Sequence, residues 1–262
     1  MAEPNDGKPK ETSRRRFLRT LAVVGVGAGL GETLLARLAE ASPPSADPAV
    51  EHQWAFVVDL RRCDGCEECT KACQKEHYLN KDQKWINVYK MTDPDGQDHF
   101  MPRLCMQCEN APCLRVCPVS ATFKSADGVV LVDQNKCIGC RMCMAACPYE
   151  ARYFNWNDPP LAPKGLMQAM PEYPVPGQKG TVGKCILCVH RTQVGKLPAC
   201  VEACPMQALY IGDMKTDVAT NGHETVKLSQ FLRDNDAIRY REELGTHPRV
   251  YYILGHAQSL NF

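Results

Sequence analysis

The sequence predicts an α+β fold in which one unit, a strand followed by a cysteine-rich loop and a short helix, is repeated. Residues 54–59 and 129–133 are short apolar runs rich in β-branched side chains, as is typical of strands. Cysteine-rich loops follow both runs, and residues 69–78 and 143–151 are predicted to form the short helices after them. Because the unit recurs, we expect the fold to have arisen by internal duplication.

The cysteines are the most unusual feature of the composition. All 16 lie between Cys63 and Cys204, where they make up about 11% of the residues. Above roughly 8–10%, the cysteines of a chain form a framework or a set of ligands rather than a part of an apolar core. Their spacing must therefore decide which of these they form.

The spacing divides the cysteines into four quartets. The first and third have the spacing C-x2-C-x2-C-x3-C, the second C-x2-C-x4-C-x3-C and the fourth C-x2-C-x11-C-x3-C, and a proline follows each of the last three. In chain order the quartets are Cys63, Cys66, Cys69 and Cys73; Cys105, Cys108, Cys113 and Cys117; Cys137, Cys140, Cys143 and Cys147; and Cys185, Cys188, Cys200 and Cys204. The run C-x2-C-x2-C-x3-C-P is the ligand signature of bacterial 4Fe–4S ferredoxins.

This spacing suits a cubic iron–sulfur cluster. Two residues between ligands let a tight loop reach three corners of one cluster, and Gly65 and Gly139, which precede the second cysteine of their quartets, can adopt the positive φ that such a loop needs. The last cysteine lies about one helical turn further on, from where it reaches a second cluster. We therefore expect little conventional core, and an apoprotein that is largely unfolded without its metal–thiolate bonds.

Zinc binding and disulfide formation are the two alternative interpretations of these cysteines. Zinc sites also contain C-x2-C pairs, but they need pairs of pairs around one ion and give no reason for a third cysteine two residues later. Disulfides between the neighbours of a C-x2-C pair are mostly strained, and they require no proline after each quartet. The spacing favours iron–sulfur clusters over both.

The quartets lie within a longer repeat. An apolar segment that ends in aspartate stands four residues before the first cysteine of the first and third quartets, with Asp59 and Asp133 in equivalent places. The second and fourth quartets share C-x3-C-P-x-x-A, with Ala121 and Ala208 in equivalent places. The chain thus contains a two-quartet unit twice, and each of these units is itself a repeat of one quartet.

Residues 1–41 have the features of a twin-arginine export signal. Three consecutive arginines, Arg14 to Arg16, precede a glycine-rich uncharged run over residues 20–31, and Ala39-Glu40-Ala41 resembles a cleavage site. The signal predicts export of a folded protein to the periplasmic, exoplasmic face of the cytoplasmic membrane. An uncleaved membrane anchor is the alternative, although the uncharged run is shorter than the about 20 residues that span a bilayer.

The remaining composition describes an ordinary globular chain. Hydrophobic residues make up 44%, charged residues 23%, and the formal net charge is +1, so a nucleic-acid partner is disfavoured. No later segment is apolar enough to cross a membrane, and we expect membrane association only through a partner. We divide the chain into the signal at 1–41, a double ferredoxin-like region at 42–212 and a C-terminal tail at 213–262.

Two segments without cysteines carry further expectations. Residues 155–183 hold six prolines, Pro159, Pro160, Pro163, Pro171, Pro174 and Pro176, and are interpreted as an irregular excursion that either contacts a partner or is a tolerated insertion. In the tail, apolar residues from Leu228 to Leu244 have helical periodicity and Gly245 follows them, while residues 250–254 are predicted to form a last strand.

Taken together, the quartets and the residues between them resemble those of the four-cluster electron-transfer subunit of the dimethyl sulfoxide reductase superfamily. The resemblance covers residues 54–254 and is strongest to exported subunits of tetrathionate and polysulfide reductases and related sulfur-cycle membrane complexes. It is carried by the segments Asp59-Leu60-Arg61-Arg62-Cys63, Arg103-Leu104-Cys105, Cys117-Pro118-Val119-Ser120-Ala121-Thr122-Phe123, Cys147-Pro148-Tyr149, Ala151-Arg152-Tyr153-Phe154, Cys188-Val189-His190-Arg191 and Pro198-Ala199-Cys200-Val201-Glu202-Ala203-Cys204-Pro205.

The resemblance implies two nested ferredoxin-like modules with crossed ligation. The outer quartets, 63–73 and 185–204, pair with each other, as do the inner quartets, 105–117 and 137–147. The four implied 4Fe–4S ligand sets are Cys63, Cys66, Cys69 and Cys204; Cys73, Cys185, Cys188 and Cys200; Cys105, Cys108, Cys113 and Cys147; and Cys117, Cys137, Cys140 and Cys143. No ligand is missing, which argues against the 3Fe–4S centre of some relatives. Gln74, where the other quartets have proline, is expected to alter a helix end.

The predicted function is a one-electron relay through four 4Fe–4S clusters, without a catalytic residue in this chain. The implied partners are a polytopic, quinone-reactive membrane subunit and a catalytic subunit that is expected to carry molybdopterin. A free-standing periplasmic ferredoxin and a metal-free, disulfide-stapled binding protein are the alternatives. Arg61, Arg62 and Lys184, next to predicted ligands, either raise cluster potentials or are solvated at the surface, and His190 either hydrogen-bonds near a cluster or is structural.

Overall fold

Strand β1, Trp54–Asp59, lies near the centre of a six-stranded mixed sheet. The computed structural model describes residues 52–93, 96–158 and 177–255. Strand β1 pairs antiparallel with β8, Leu209–Asp213, and parallel with β12, Val250–Ile253. The outer strands of the sheet are β9, Val218–Thr220; β10, Thr225–Lys227; and β11, Ile238–Arg239, in the order β10-β9-β8-β1-β12-β11. The first described strand is therefore held between strands from the far end of the chain.

The apolar sequence of β1 fits burial on both faces of this sheet. Phe56 and Val58 pack into a large core on one face, whereas Ala55 and Val57 pack into a smaller one on the other. Helix α6, Leu228–Asp234, contributes Leu228 to the smaller core. Alternation along a strand sends successive side chains to opposite faces, so a strand covered on both faces needs a continuous apolar run.

Three two-stranded antiparallel sheets complete the strands of the described residues. They pair β2, Asn87–Thr92, with β3, Asp98–Arg103; β4, Thr122–Lys124, with β5, Val130–Val132; and β6, Tyr153–Phe154, with β7, Val182–Gly183. Strands β1, β3, β5 and β7 each end a few residues before the first cysteine of a quartet. All four quartets are thus entered from a strand, and the predicted strands at 54–59 and 129–133 are confirmed as β1 and β5.

In each quartet the third cysteine lies in a helix. In chain order these helices are α1, Glu68–Glu76; α2, Pro112–Arg115; α3, Met142–Ala145; and α5, Ala199–Glu202, with α4, Val189–Thr192, lying inside the fourth quartet. Helices α2, α3 and α5 are single turns that end before the last cysteine, because the proline after that cysteine cannot continue a helix. The predicted helix over 143–151 is therefore wrong beyond Ala145.

Helix α1 is longer because Gln74 replaces that proline. The helix continues through Cys73 to Glu76, and the Gln74 side-chain amide donates to the carbonyls of Lys81 and Gln83, at 3.2 and 2.8 Å. The expectation that Gln74 alters a helix end is confirmed.

The tail differs from its prediction. Helix α6 ends at Asp234, Ile238 belongs to β11, and only Glu242–Leu244 forms a further short 3₁₀ turn before Gly245. Ile238 and Arg239 pair with Tyr252 and Tyr251 of β12, so pairing at the sheet edge outweighs the helical periodicity. The boundary drawn between residues 212 and 213 falls within β8.

The interior also corrects the expectation of little conventional core. Both faces of the six-stranded sheet are packed with buried aliphatic and aromatic side chains, among them Phe56, Tyr210 and Tyr252. Cysteine side chains such as Cys73 and Cys200 belong to the larger core. The candidate ligands are thus embedded in an apolar interior instead of replacing it.

Two sequence expectations lie outside the described residues. They are the export signal at 1–41 and the prolines between residues 159 and 176. In the part of the chain that the structure does describe, every helix is too short or too polar to cross a membrane.

Candidate cluster-binding sites

The four cysteine loops share one backbone feature. The residue before the second cysteine has a positive φ in every quartet: 80° at Gly65, 46° at Gln107, 70° at Gly139 and 52° at Leu187. The sequence analysis predicted this conformation for the two glycines, and the prediction is confirmed. At Gln107 and Leu187 the same turn is made by residues with side chains, which ordinarily avoid it.

Tertiary hydrogen bonds hold Gln107 in this conformation. Its buried side chain donates from Nε2 to the carbonyl of Cys185, at 2.9 Å, and accepts at Oε1 from the N–H of Val130, at 2.8 Å. These bonds tie the loop of the second quartet to β5 and to the start of the fourth quartet. Surrounding structure of this kind is what maintains a non-glycine residue in a sparsely populated backbone region.

Glycine is also required in the first and third loops because space is short. A Cβ atom on Gly65 would lie 2.5 Å from the Phe100 ring, and one on Gly139 would lie 2.2 Å from the carbonyl oxygen of Gly180. The second contact is with backbone, which cannot rotate away as a side chain can. The loop around Cys140 therefore packs tightly against the segment that precedes β7.

Cysteines from different quartets surround common cavities. Three cavities, of about 300, 310 and 320 Å³, each have four cysteines in their walls. The sets are Cys63, Cys66, Cys69 and Cys204; Cys117, Cys137, Cys140 and Cys143; and Cys105, Cys108, Cys113 and Cys147. Each set combines three cysteines of one quartet with the last cysteine of another. The three volumes are nearly equal, which suits one kind of group bound three times.

A single metal ion needs its ligands arranged closely around it. A tetrahedral zinc ion, for example, holds its four sulfurs at about 2.3 Å. Among the described residues, no group of three or more His, Cys, Asp or Glu side chains is arranged to hold a single metal ion.

The four remaining cysteines, Cys73, Cys185, Cys188 and Cys200, line none of these three cavities, but they are connected by their electrostatic effects on one another. Burial raises the pKa of the Cys73 and Cys200 thiols well above its ordinary value, and negative charge on Cys185 and Cys188 raises it further in both cases. The structure thus groups twelve cysteines around three cavities, in three of the sets that the sequence resemblance implies. The electrostatic effect of Cys185 and Cys188 on Cys73 and Cys200 agrees with the fourth set.

The chemistry of these sites fits a cationic, thiolate-binding group. All sixteen cysteines are free thiols. Burial raises the pKa of Cys63 to about 11 and of Cys69 and Cys108 to about 12, so thiolates at these places need compensating positive charge. Bound metal ions supply such charge, and a coordinating thiol is deprotonated outright. Iron–sulfur clusters, which take four thiolate ligands each, therefore fit the residues present.

Arg152 is a second observation that fits clusters in the inner sites. The residue is 5% exposed; Nη1 donates to the Thr122 hydroxyl at 3.3 Å, whereas Nη2 has no hydrogen-bond partner. Burial lowers the pKa of its guanidinium, but Cys113 and Cys143 raise it and the net shift is upward. Those two cysteines line different cavities, so the cation lies beside both. The unpartnered donor gains an acceptor if clusters occupy these sites, because their sulfides and bound thiolates accept hydrogen bonds.

Backbone N–H groups point at several of the sulfurs. Ala121 donates to Sγ of Cys117, at 3.2 Å, and Ala208 donates to Sγ of Cys204, at 3.4 Å. These alanines are the matching residues of the repeated C-P-x-x-A pattern. Burial alone would raise the pKa of Cys117, but backbone N–H groups around the sulfur lower it overall. Hydrogen bonds to ligand sulfurs are one means by which proteins set cluster potentials.

The cations predicted beside the ligands have different surroundings. Lys184 is fully buried and donates from Nζ to the carbonyls of Cys185, at 2.8 Å, and of Val130, so the surface alternative is wrong for this residue. Arg61 is partly exposed and pairs with the buried carboxylate of Asp59 at 2.8 Å. Arg62 lies 3.6 Å from the same carboxylate. The two arginines thus balance a buried negative charge at the start of the first loop.

A histidine that the sequence analysis did not single out contacts a candidate ligand. His77 is buried, and its Nε2 lies 3.2 Å from Sγ of Cys188. Burial and the nearby His190 lower the pKa of His77 to about 3. His190 itself bonds to Glu76, at 2.8 Å, and so has the structural role that was one of its two interpretations. Because 111 residues separate His77 from Cys188, no local pattern could have revealed their contact.

Comparison with known proteins identifies the same chemistry. The 4Fe–4S dicluster domain family matches residues 97–167 and 162–214 of this chain. The first segment contains the second and third quartets, and the second segment contains the fourth. Two matches to a dicluster domain indicate a duplicated, ferredoxin-like arrangement that binds 4Fe–4S clusters.

Individual relatives cover most of the chain. It is 36% identical to a subunit of the tetrathionate reductase of Salmonella typhimurium, over 94% of this chain and 90% of the relative. It is 38% identical to the iron–sulfur subunit of a putative dimethyl sulfoxide reductase of Halobacterium salinarum, over 77% of this chain and 79% of the relative. It is 34% identical to an iron–sulfur subunit of the Hdr-like menaquinol oxidoreductase of Archaeoglobus fulgidus, over 92% of this chain and 97% of the relative.

The steric role of Gly139 can be tested against Gly180, because both have positive φ but only Gly139 lacks room for a Cβ atom. We expect Gly180→Ala to cost about 1 kcal/mol through its backbone conformation alone. Gly139→Ala should cost a further 1–3 kcal/mol or so from overpacking against the Gly180 carbonyl. Unfolding in denaturant, followed by the visible absorbance of the holoprotein, measures both. Equal losses in the two variants would show that the third loop is not packed as described.

Proposed function

The chain belongs to the family of iron–sulfur electron-transfer subunits of the dimethyl sulfoxide reductase superfamily, and on that premise we propose that it relays single electrons through four 4Fe–4S clusters. It is an electron-transfer component of an oxidoreductase complex and not the catalytic subunit. The relay is proposed to run between a polytopic, quinone-reactive membrane subunit and a catalytic subunit that carries molybdopterin. A relative named as a menaquinol oxidoreductase subunit supports the quinone-reactive partner.

We propose the following ligand sets for the four clusters. They are Cys63, Cys66, Cys69 and Cys204; Cys73, Cys185, Cys188 and Cys200; Cys105, Cys108, Cys113 and Cys147; and Cys117, Cys137, Cys140 and Cys143. Each cluster, when bound, supplies one reversible electron between two oxidation states and keeps its four ligands. The observation that carries the proposal is the grouping of twelve cysteines, as three of these four sets, around three cavities of similar size.

Nested modules follow from these sets. The outer quartets, at 63–73 and 185–204, would form one ferredoxin-like module around the inner one, at 105–117 and 137–147. Strand β1 precedes the first quartet and pairs with β8, which follows the fourth. Strand β4 follows the second quartet and pairs with β5, which precedes the third. Each strand pair therefore joins two quartets that are proposed to share clusters, which supports this arrangement. In this proposal the region 42–212 holds both modules, and the tail at 213–262 extends their sheet.

The exposed cysteines indicate where electrons would enter and leave. Of the sixteen, only Cys66 and Cys140 are exposed, and they belong to two different ligand sets. The set of Cys73, Cys185, Cys188 and Cys200 is the most buried, with only Cys185 partly exposed. A relay needs one accessible cluster for each partner, whereas its internal clusters need protection from solvent. This distribution supports two docking faces, one around each exposed cysteine.

The face around Cys140 has the character of a protein interface. Ile138, Met142 and Trp156 are 64%, 53% and 62% exposed, although large apolar side chains are ordinarily buried. Arg141 lies over the Trp156 ring, with its guanidinium carbon 5.0 Å from the centroid. Aromatic, methionine and arginine side chains are enriched where proteins bind one another. We therefore propose that one subunit of the complex binds this surface, here called the Cys140 face.

The face around Cys66 is different, being rich in ion pairs. Glu68 bonds to Lys71 at 2.6 Å and Glu67 to Lys84 at 3.2 Å, and Asp64 accepts a hydrogen bond from the N–H of Cys66 at 3.1 Å. A charged face and an apolar face suit two partners of different surface chemistry. That contrast favours a bridging subunit over a free-standing ferredoxin, which needs only one docking surface.

Export remains part of the proposal. The signal at 1–41 supports a location on the exoplasmic face of the cytoplasmic membrane, reached by the folded protein through the twin-arginine route. Clusters assembled in the cytoplasm need a route of this kind. Membrane association would then depend on the partner subunit.

The crossed ligand sets predict which single cysteine substitutions act on the same cluster. Cys63→Ser and Cys204→Ser should alter one and the same EPR signal of the reduced protein, because an oxygen ligand changes the electronic structure of its cluster. Cys200→Ser, in the same quartet as Cys204, should alter a different signal. Iron content and the unaltered signals are the controls for intact assembly. If Cys200→Ser and Cys204→Ser alter the same signal, each quartet holds its own cluster and the crossed assignment is wrong.

The Cys140 face predicts a position-dependent loss of complex formation. Met142→Asp places a charge on the proposed interface, outside the lining of the cysteine cavity, and should weaken association with the partner about tenfold or more. Val194→Asp is the matched control, because Val194 is 66% exposed and lies outside this face. Co-purification of the tagged, cluster-loaded chain in mild detergent measures both variants. Equal retention of the partner by both would exclude this face, and a wild-type chain that retains no partner would favour the free-standing ferredoxin.

The export proposal predicts the effect of conservative changes in the signal. Replacement of Arg14, Arg15 and Arg16 by lysine keeps the positive charge, but the twin-arginine route reads the arginines themselves. The variant should accumulate in the cytoplasm with its clusters assembled, while the wild-type chain is found with the membrane fraction on the exoplasmic side. Protease accessibility in spheroplasts distinguishes the two locations. Identical accessibility of variant and wild type would contradict export by this route.

A further inference from the structure

His77 stands out among the buried polar side chains because its partner is a cluster ligand of another quartet. It follows helix α1 directly, and its backbone N–H donates to the carbonyl of Cys73 at 3.0 Å. The extra helical turn that Gln74 permits therefore carries the imidazole inward. There Nε2 reaches Sγ of Cys188 at 3.2 Å, and the residue is 1% exposed.

The orientation of the imidazole is fixed by its neighbours. Trp85 packs on one side, with 4.8 Å between ring centroids, and the His190 ring meets it edge-on at 5.5 Å. His190 is held in turn by Glu76, whose other carboxylate oxygen accepts from Arg191 at 3.1 Å. A side chain packed in this way keeps its hydrogen-bond geometry, which a surface histidine would not.

The chemistry of a ligand sulfur determines which tautomer this geometry requires. A thiolate bound to iron has no proton and can only accept a hydrogen bond. Nε2 of His77 must then carry the hydrogen, and Nδ1, which has no hydrogen-bond partner, is the bare nitrogen. The imidazole is thus a neutral donor aimed at one sulfur of the most buried ligand set.

We propose that His77 donates an N–H···S hydrogen bond to Cys188 and thereby raises the reduction potential of the cluster held by Cys73, Cys185, Cys188 and Cys200. This inference rests on the ligand sets of the proposed function. Reduction adds negative charge to the cluster and its sulfurs, and a hydrogen bond to a more negative acceptor is stronger. The donor therefore stabilises the reduced state more than the oxidised state. His77 acts on this cluster through the sulfur of Cys188 and is not itself a ligand.

The effect is separable from that of the backbone donors around the other sulfurs. Ala121 and Ala208 donate through main-chain N–H groups, which no substitution removes without changing the chain path. His77 donates through a side chain, so its hydrogen bond can be removed or retained by choice of residue. It is accordingly a place where the potential of one cluster can be changed with the other three as internal references.

The test compares His77→Leu, which removes the donor, with His77→Gln, whose amide can supply an N–H at a similar distance. EPR-monitored redox titration of the purified complex gives the midpoint potential of each cluster. In His77→Leu we expect one potential to fall by about 59 mV, a tenfold shift of a one-electron equilibrium. It should belong to the signal that Cys188→Ser also alters. His77→Gln should restore most of the difference, and the other three potentials should remain unchanged.

A second measurement needs no variant to fold. Wild-type protein with ¹⁵N-labelled histidine should show, by pulsed EPR, a histidine nitrogen coupled to one reduced cluster. Absence of that coupling overturns the inference, as do unchanged potentials in His77→Leu or equal shifts in both variants, which would indicate packing alone. In each of these cases a full complement of iron leaves the proposed function intact, whereas a wild-type chain deficient in iron overturns both.

Discussion

Buried thiols that need positive charge are the constraint on which the rest of this structure depends. All sixteen cysteines are free, twelve of them line three cavities, and burial raises the pKa of most of the sixteen thiols. Each space draws cysteines from two quartets, so one bound group joins parts of the chain that are far apart in sequence. Cys204, for example, shares a cavity with Cys63. The same bonds that would hold a cluster therefore also fix the fold, together with an apolar sheet that is buried on both faces.

One loop geometry is achieved by different means in the four quartets. Gly65 and Gly139 adopt positive φ at little cost, whereas Gln107 reaches it with its side chain bonded to Cys185 and Val130. The loops therefore depend on one another, since the second is held by contacts with the fourth. Arg152, beside cysteines of two cavities, adds an electrostatic link between the inner sites. Assembly of one site is thus expected to favour assembly of the next.

The spacing of residues in the sequence predicted those features of the fold and of the candidate sites that depend on local sequence. Cysteine quartets, strand β1 and the conformation of Gly65 and Gly139 depend on neighbours a few residues away. The predicted tail helix failed at Ile238, where pairing with β12 overrides helical periodicity. The burial of Lys184 and the contact of His77 with Cys188 were also not foreseen, since both depend on which distant segments the fold brings together.

Iron analysis of the purified, anaerobically prepared holoprotein tests the central claim most directly. Four complete ligand sets predict about sixteen irons per chain, with an equal amount of acid-labile sulfide. A content below about twelve irons, or zinc in place of iron and sulfide, would contradict the account. The measurement requires no assignment of spectra and no partner subunit, and it bears at once on the cavities, the free thiols and the proposed relay.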